Sequence, residues 1–115
     1  MVQARHLKAR LLIYPAAFNM TTGPAHWELL IRSRALDNQV FVAACSPARA
    51  TNGDGYKAWG NSMVVDPWGK IFAATEEKED LVIAEIDQAR VEKVRKAIPT
   101  SKHRRADLYT LEYLK

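Results

Sequence analysis

Cysteine and histidine are the side chains best suited to chemistry near neutral pH, and the chain has one cysteine and three histidines. Cys45 invites a reading as a nucleophile. A catalytic thiol needs a base, a helix N-terminus or cations to form thiolate, together with access to solvent. Cys45 follows Phe41-Val42-Ala43-Ala44, a setting that predicts a buried, inert thiol. His6, His26 and His103 are scattered without the spacing of a metal site, so no metal centre is expected. His26, beside Trp27 at the start of a helix, is placed to cap or pack. No glycine-rich phosphate loop follows a strand, and there is no G-x-S-x-G elbow. Asp66 is a turn residue by position, not an acid catalyst. On residue types alone, a catalytic site is absent or incomplete.

The elements that would position any chemistry follow from pattern. Leu11-Leu12-Ile13-Tyr14 is a short apolar run closed by Pro15, a buried strand running into a loop. Val2 to Lys8 before it looks like the end of a helix without its beginning, since no capping residue opens it. Thr22-Gly23-Pro24 starts a helix, with Thr22 or Gly23 as cap and proline in the first turn. That helix runs to about Asn38, with Trp27, Leu30, Ile31 and Ala35 at helical spacing and Leu29 and Leu36 broadening the stripe. Apolar on two sides, it should pack against its own sheet and a partner helix. Glu28 precedes Arg32 by four residues, a pair worth about 0.2–0.5 kcal/mol.

Val40 to Ser46 reads as a strand buried on both faces, and residues 49–57 as a polar loop. Ser62–Val65 and Lys70–Ala73 flank Asp66-Pro67-Trp68-Gly69, which has the residues of a type I turn. Leu81–Ile86 is a further strand by composition. Asp87 is a natural N-cap for a helix to about Ile98, with Val91, Val94 and Ile98 as its stripe and Pro99 as its stop. The order is that of a layered α/β domain.

Composition narrows the partners. The chain is 115 residues long, 48% apolar and 26% charged, ordinary for a globular domain. No apolar run reaches the length of a membrane span, and no apolar signal core opens the chain. One cysteine cannot form an intrachain disulfide, so a reducing, cytoplasmic setting is expected. The net charge of +4 comes from the end of the chain, because residues 88–115 hold eight basic and three acidic groups. The cluster Lys102-His103-Arg104-Arg105 reads as a solvated tail that docks on protein, and no nucleic-acid partner is expected.

Leu11-Leu12-Ile13-Tyr14-Pro15-Ala16-Ala17-Phe18-Asn19, followed by Thr21-Thr22-Gly23-Pro24-Ala25-His26-Trp27-Glu28-Leu29-Leu30, resembles the nitrilase (carbon–nitrogen hydrolase) superfamily, in particular its omega-amidase-like branch. Arg32-Ser33-Arg34-Ala35-Leu36-Asp37-Asn38 matches the family's R-x-R-A-x-(E/D)-N helix end. Ser62-Met63-Val64-Val65-Asp66-Pro67-Trp68-Gly69 matches its hairpin, and Arg105-Ala106-Asp107-Leu108-Tyr109 its terminal R-x-D-L-Y. The likeness covers nearly the whole chain. Asn61 departs from it, since many relatives have His before the hairpin Ser.

The resemblance implies an αββα four-layer sandwich, of which residues 1–115 would be the C-terminal half of one domain and residues 99–115 a docking tail. It implies hydrolysis of a carbon–nitrogen bond through a thioester on Cys, with a Glu base and a Lys that stabilises the oxyanion. That chemistry calls for no metal or cofactor. The three catalytic residues would lie upstream, and Cys45 aligns with a non-catalytic strand position, so no catalytic residue is assigned in this chain.

What remains is the part that shapes the substrate pocket. The resemblance carries over Phe18 as an apolar wall, Thr22 as a hydroxyl donor and, more weakly, Tyr56 at the mouth, for a small 2-oxo-dicarboxylic monoamide such as 2-oxoglutaramate or 2-oxosuccinamate. The first two have a plainer alternative, Phe18 as a core plug and Thr22 as a helix cap. The resemblance also implies pairing into homo- or hetero-oligomers through the helix of Trp27, Leu30, Ile31 and Arg34. Two functions follow as expectations: a truncated hydrolase inactive alone, or a non-catalytic module that pairs with full-length relatives. A mitochondrial location stays open if an upstream segment exists. With its other half absent, the chain should leave apolar sheet surface exposed.

Overall fold

A computed structural model describes residues 7–53 and 55–110. Four strands form one sheet in sequence order: β1 (Leu11–Pro15), β2 (Phe41–Cys45), β3 (Met63–Val65) and β4 (Ile71–Ala74). β1 and β2 are parallel, with Leu12 beside Val42 and Tyr14 beside Ala44. A parallel pair needs a crossover, which helix α1 (Thr22–Asn38) supplies. β3 returns antiparallel to β2 after a long loop, residues 46–62, and β4 follows β3 through a tight hairpin. Helix α2 (Gln88–Ala97) closes the regular structure.

The hairpin forms as its sequence predicts. Gly69 N–H donates to the Asp66 carbonyl at 2.9 Å, and Gly69 takes a φ of +79°, which a side chain would resist. The register shifts by one residue after Val64, a bulge that fits a turn ending in a left-handed glycine. Asp66 does more than turn the chain. It is buried, its Oδ1 accepts the N–H groups of Trp68 (2.8 Å) and Lys70 (3.0 Å), and its Oδ2 pairs with Arg90 of α2. The hairpin is thereby joined to the second helix. Asp87 caps that helix by accepting the Ala89 N–H at 2.8 Å.

The core lies between α1 and one face of the sheet. Trp27, Ile31 and Ala35, four residues apart, form one stripe on the helix and meet Val42, Ala44, Met63 and Val65 from the strands. Burying a side chain such as Ile31 in full is worth about 1.5–3 kcal/mol. At the end of α1, Gln39 takes the left-handed conformation and is buried. Its Nε2 donates to the Ile98 carbonyl at 2.6 Å and its Oε1 accepts from the Thr100 hydroxyl at 3.2 Å, tying the ends of the two helices together.

The opposite face is only partly covered. Phe41 is buried there and meets Phe72 edge-on, ring centroids 5.9 Å apart. Further along that face Ile13 is 71% exposed and Cys45 is exposed. The expectation of a buried Cys45 is therefore corrected. It is the last residue of β2, on the face away from α1, and its neighbour in register is exposed Pro15.

A second correction concerns Leu81–Ile86, which pairs with no strand among the described residues. Its side chains alternate between exposed and half-buried, the period of an extended chain, with Leu81 79% and Ile83 87% exposed. The strand pattern is present without a neighbour to bond. The helical reading of Val2 to Lys8 falls mostly on residues 1–6, outside the described residues. At Lys8 the backbone takes a positive φ of 54°, which ends any helix there.

Candidate functional site

The candidate site lies where β1 and β2 end, the edge at which parallel α/β sheets bind ligands. β1 runs into the loop of residues 16–21, whose fold depends on Asn19. Its Oδ1 accepts the backbone N–H groups of Thr21 (2.9 Å) and Thr22 (2.8 Å) and the Thr22 hydroxyl (3.0 Å). The Asn19 carbonyl accepts the Gly23 N–H at 2.8 Å. Capping of α1 is thus the task of Asn19, correcting the assignment to Thr22 or Gly23. The N–H groups at a helix start have no partners within the helix, and a short side-chain oxygen just before it satisfies them.

Phe18 is half-buried, its ring edge-on to Trp27 at 5.2 Å between centroids. It therefore belongs in part to the core, the plainer of its two readings, while its backbone stays at the loop. The Phe18 carbonyl accepts the Trp59 N–H at 2.7 Å. Thr22 is half-buried and its hydroxyl is committed as a donor to Asn19, which leaves its oxygen free only as an acceptor. Tyr56 is exposed, and its hydroxyl donates to the Ala17 carbonyl at 3.1 Å. The structure thus joins the loops of Phe18 and Tyr56 directly, with Thr22 held through Asn19 at the base of the helix.

Trp59 packs where Gly23 leaves room, since a Cβ on Gly23 would stand 2.3 Å from the Trp59 Cβ. Arg49 donates through Nε to the Ala58 carbonyl (3.3 Å) and through Nη2 to the Trp59 carbonyl (2.9 Å), with its guanidinium 5.2 Å from the Trp59 ring centre. Asn61, with a positive φ of 61°, offers its carbonyl to the buried Trp27 indole N–H at 2.7 Å. Sequence reasoning missed Asn19, Arg49 and Trp59 as organisers of this edge. Asn19 had a signal, an Asn two to three residues before a helix start; Arg49 had none.

Of the four residues assigned to an interface, two are corrected. Trp27 and Ile31 are 1% and 2% exposed inside this chain's own core, because they share the stripe that faces the sheet. Leu30 is 37% exposed, and half-buried Arg34 lies 3.9 Å from the Asp37 carboxylate. The outward surface of α1 is marked instead by Leu29 and Leu36.

The remaining polar features do not converge on a reacting atom. A shallow open depression beside Ser46, Ser62, Thr75 and Glu76 is lined by residues other than those of the pocket edge. Among the described residues no group of three or more His, Cys, Asp or Glu side chains could hold a metal. No described helix is long and apolar enough to cross a membrane. In the tail, the Arg105 guanidinium holds the Asp107 carboxyl below its usual range, and Asp107 raises Arg105 in turn; both are fully exposed.

The family model described as carbon-nitrogen hydrolase matches residues 1–96. The chain belongs to the carbon–nitrogen hydrolase family. It is 57% identical to the chloroplastic omega-amidase of Arabidopsis thaliana over 90% of this chain and 28% of that protein. It is 52% identical to the omega-amidase NIT2 of Homo sapiens over 92% of this chain and 38% of that protein. Among solved structures, Saccharomyces cerevisiae Nit3, a member of branch 10 of the nitrilase superfamily, superposes with a TM-score of 0.83 at 52% identity, covering 90% of this chain and 38% of Nit3. The chain of this carbon–nitrogen hydrolase family member thus spans between about a quarter and two fifths of the length of these relatives. Its sheet and helices are part of the nitrilase-type fold.

Proposed function

We propose that this chain is the pocket-shaping portion of an omega-amidase-like carbon–nitrogen hydrolase. The observation that carries the reading is the joined loop edge of Phe18, Thr22 and Tyr56 at the ends of two parallel strands, in a segment more than half identical to omega-amidases. In this reading the substrate is the amide of a small 2-oxo-dicarboxylic acid. Phe18 and Tyr56 limit the pocket's width, and the Thr22 oxygen serves as an acceptor at its base. Nucleophile, base and oxyanion-stabilising lysine come from a segment beyond these residues. In this reading exposed Cys45, which stands on the sheet face away from α1, is not the nucleophile.

The test is hydrolysis of 2-oxoglutaramate or 2-oxosuccinamate, followed by ammonia release. The chain alone should give no turnover, whereas supplying the cysteine-bearing remainder of an omega-amidase relative in trans should restore it. Turnover by the chain alone would contradict the proposal, as would a complex that assembles and stays inactive.

A second reading, a non-catalytic module pairing with full-length relatives, is favoured by Leu29 and Leu36, which are 64% and 50% exposed on the outward surface of α1. Co-expression with an intact relative and size-exclusion chromatography would decide it. Co-migration lost on Leu29→Ser and Leu36→Ser supports pairing, and separate elution rejects it.

A further inference from the structure

The pocket edge depends on a loop that would otherwise have wide freedom. Among the described residues of 46–62 there is no regular structure, and such a segment keeps a fixed shape only where specific bonds hold it. Two of those bonds join its ends to the segment after β4: the Arg49 N–H donates to the Glu77 carbonyl at 2.7 Å and the Asn61 N–H to the Glu76 carbonyl at 2.9 Å. Ser62 joins the loop's outermost residues, its hydroxyl accepting the Ser46 N–H at 3.0 Å and donating to the Ser46 carbonyl at 3.2 Å, and further in Arg49 bridges the two limbs through the Ala58 and Trp59 carbonyls.

We propose that Arg49 is a positioning residue for the pocket edge, its guanidinium fixing the far limb of the loop so that Tyr56 and Phe18 stand where substrate would meet them. The inference rests on the omega-amidase-like reading of this edge. The linkage is short and continuous. Arg49 fixes the Trp59 peptide from its carbonyl side, and the N–H of the same residue holds the Phe18 carbonyl at 2.7 Å. Tyr56, three residues before Trp59, holds Ala17. Both bonds reach the loop that carries Phe18, so a shift of the Trp59 peptide moves both pocket residues together.

The chemistry of the side chain fits the task. A guanidinium is a rigid fork that can serve two successive carbonyls and lie over an aromatic ring at once, and charged donors make the stronger hydrogen bonds. A lysine ammonium carries the same charge without the fork or the flat face. Arg49 also lies outside the packed cluster of α1 and the sheet, so its loss need not undo the fold.

The experiment compares Arg49→Lys and Arg49→Gln with the wild-type chain by amide NMR and thermal melting. The expected result is a melting transition like that of the wild type, with amide shifts concentrated at Ala17, Phe18, Tyr56, Trp59 and Glu77. Unshifted Phe18 and Tyr56 amides would overturn the proposal, as would changes spread evenly over α1, β2 and β3. In enzyme reconstituted with the cysteine-bearing portion, Arg49→Lys should raise KM on the order of tenfold while kcat changes little. An equal fall in kcat with unchanged KM would also overturn it. If the wild-type reconstitution shows no turnover, the amidase reading fails, and the amide shifts still decide whether Arg49 positions the edge.

Discussion

The two faces of the sheet differ sharply. Toward α1, Val42 and Val65 are fully buried, and Trp27, Ile31 and Ala35 fill the space above them. On the other face Phe41 is buried while Ile13, Cys45 and Phe72 meet solvent, and outside the sheet the Leu81–Ile86 segment exposes Leu81 and Ile83. Both faces are apolar in sequence, so composition does not separate them. What separates them is cover. α1 is encoded between the two strands it spans and folds back by local connection, whereas among the described residues α2 is tied at the sheet's margin, by Arg90 to Asp66 and by Arg10 to Glu92. An apolar surface without cover is a place where something else docks. In the proposed reading, with relatives about two and a half to three and a half times as long as the matched segment, that something is a further layer of the same domain.

The largest expected effect is on the closed face. Trp27→Ala removes a buried ring and the donor to the Asn61 carbonyl, and should cost about 3–5 kcal/mol in urea unfolding. A loss under about 1 kcal/mol, the size of an ordinary surface change, would mean that α1 is not what holds the sheet. Next comes Gly23→Ala, where the added Cβ would meet Trp59 at 2.3 Å. Overpacking of this kind costs about 1–3 kcal/mol, and NMR should show Trp59 and Phe18 shifting together. An unchanged melting temperature would break the link between the helix start and the long loop.

Substitutions on the open face should behave in the opposite way. Ile13→Ser there, and Ile83→Ser in the Leu81–Ile86 segment, at positions 71% and 87% exposed, should leave stability within about 0.5 kcal/mol while reducing self-association measured by sedimentation. A large loss of stability would show that this face is closed in the isolated chain.

The smallest effect belongs to the tail. Because Arg105 depresses the Asp107 carboxyl, any stability from the pair is present above the ordinary carboxylate range and fades as pH falls through the lowered value. Both groups are fully exposed, so Arg105→Gln should leave the melting temperature unchanged. In an NMR titration it should return Asp107 to the ordinary carboxylate range; a midpoint unmoved by the substitution would deny the pairing.

Local chemistry was legible in the sequence where it was self-contained. The Asp66–Gly69 turn, the Asp87 cap and the Glu28–Arg32 pair, 2.9 Å apart, all formed as read, because each needs only residues within four positions. The misreadings share a cause. Cys45 and Leu81–Ile86 carry the apolar pattern of buried strands, but burial depends on what covers them, and that cover is not encoded in their own spacing. Trp27 and Ile31 were assigned to an interface by resemblance, and a helix apolar on two sides does not itself say which side meets the sheet. The phase of the Trp27–Ile31–Ala35 stripe does, and it turns Leu29 and Leu36 outward. At the candidate site, Phe18, Thr22 and Tyr56 were named by resemblance, while the bonds that bring their loops together run through backbone carbonyls and Arg49. Carbonyl partners leave no trace in side-chain patterns, which is why that organisation appeared only in three dimensions.

Cys45 offers the most direct measurement of the central proposal, that the open face is where the remainder of an omega-amidase-like hydrolase would dock. As the only cysteine in the chain, it gives a single alkylation signal that reports cover at the end of β2. The account predicts rapid labelling of the isolated chain and strong protection once the cysteine-bearing portion of an omega-amidase relative is bound, the relative's own cysteines having been replaced. Equal labelling of Cys45 in the free chain and in the complex would contradict it.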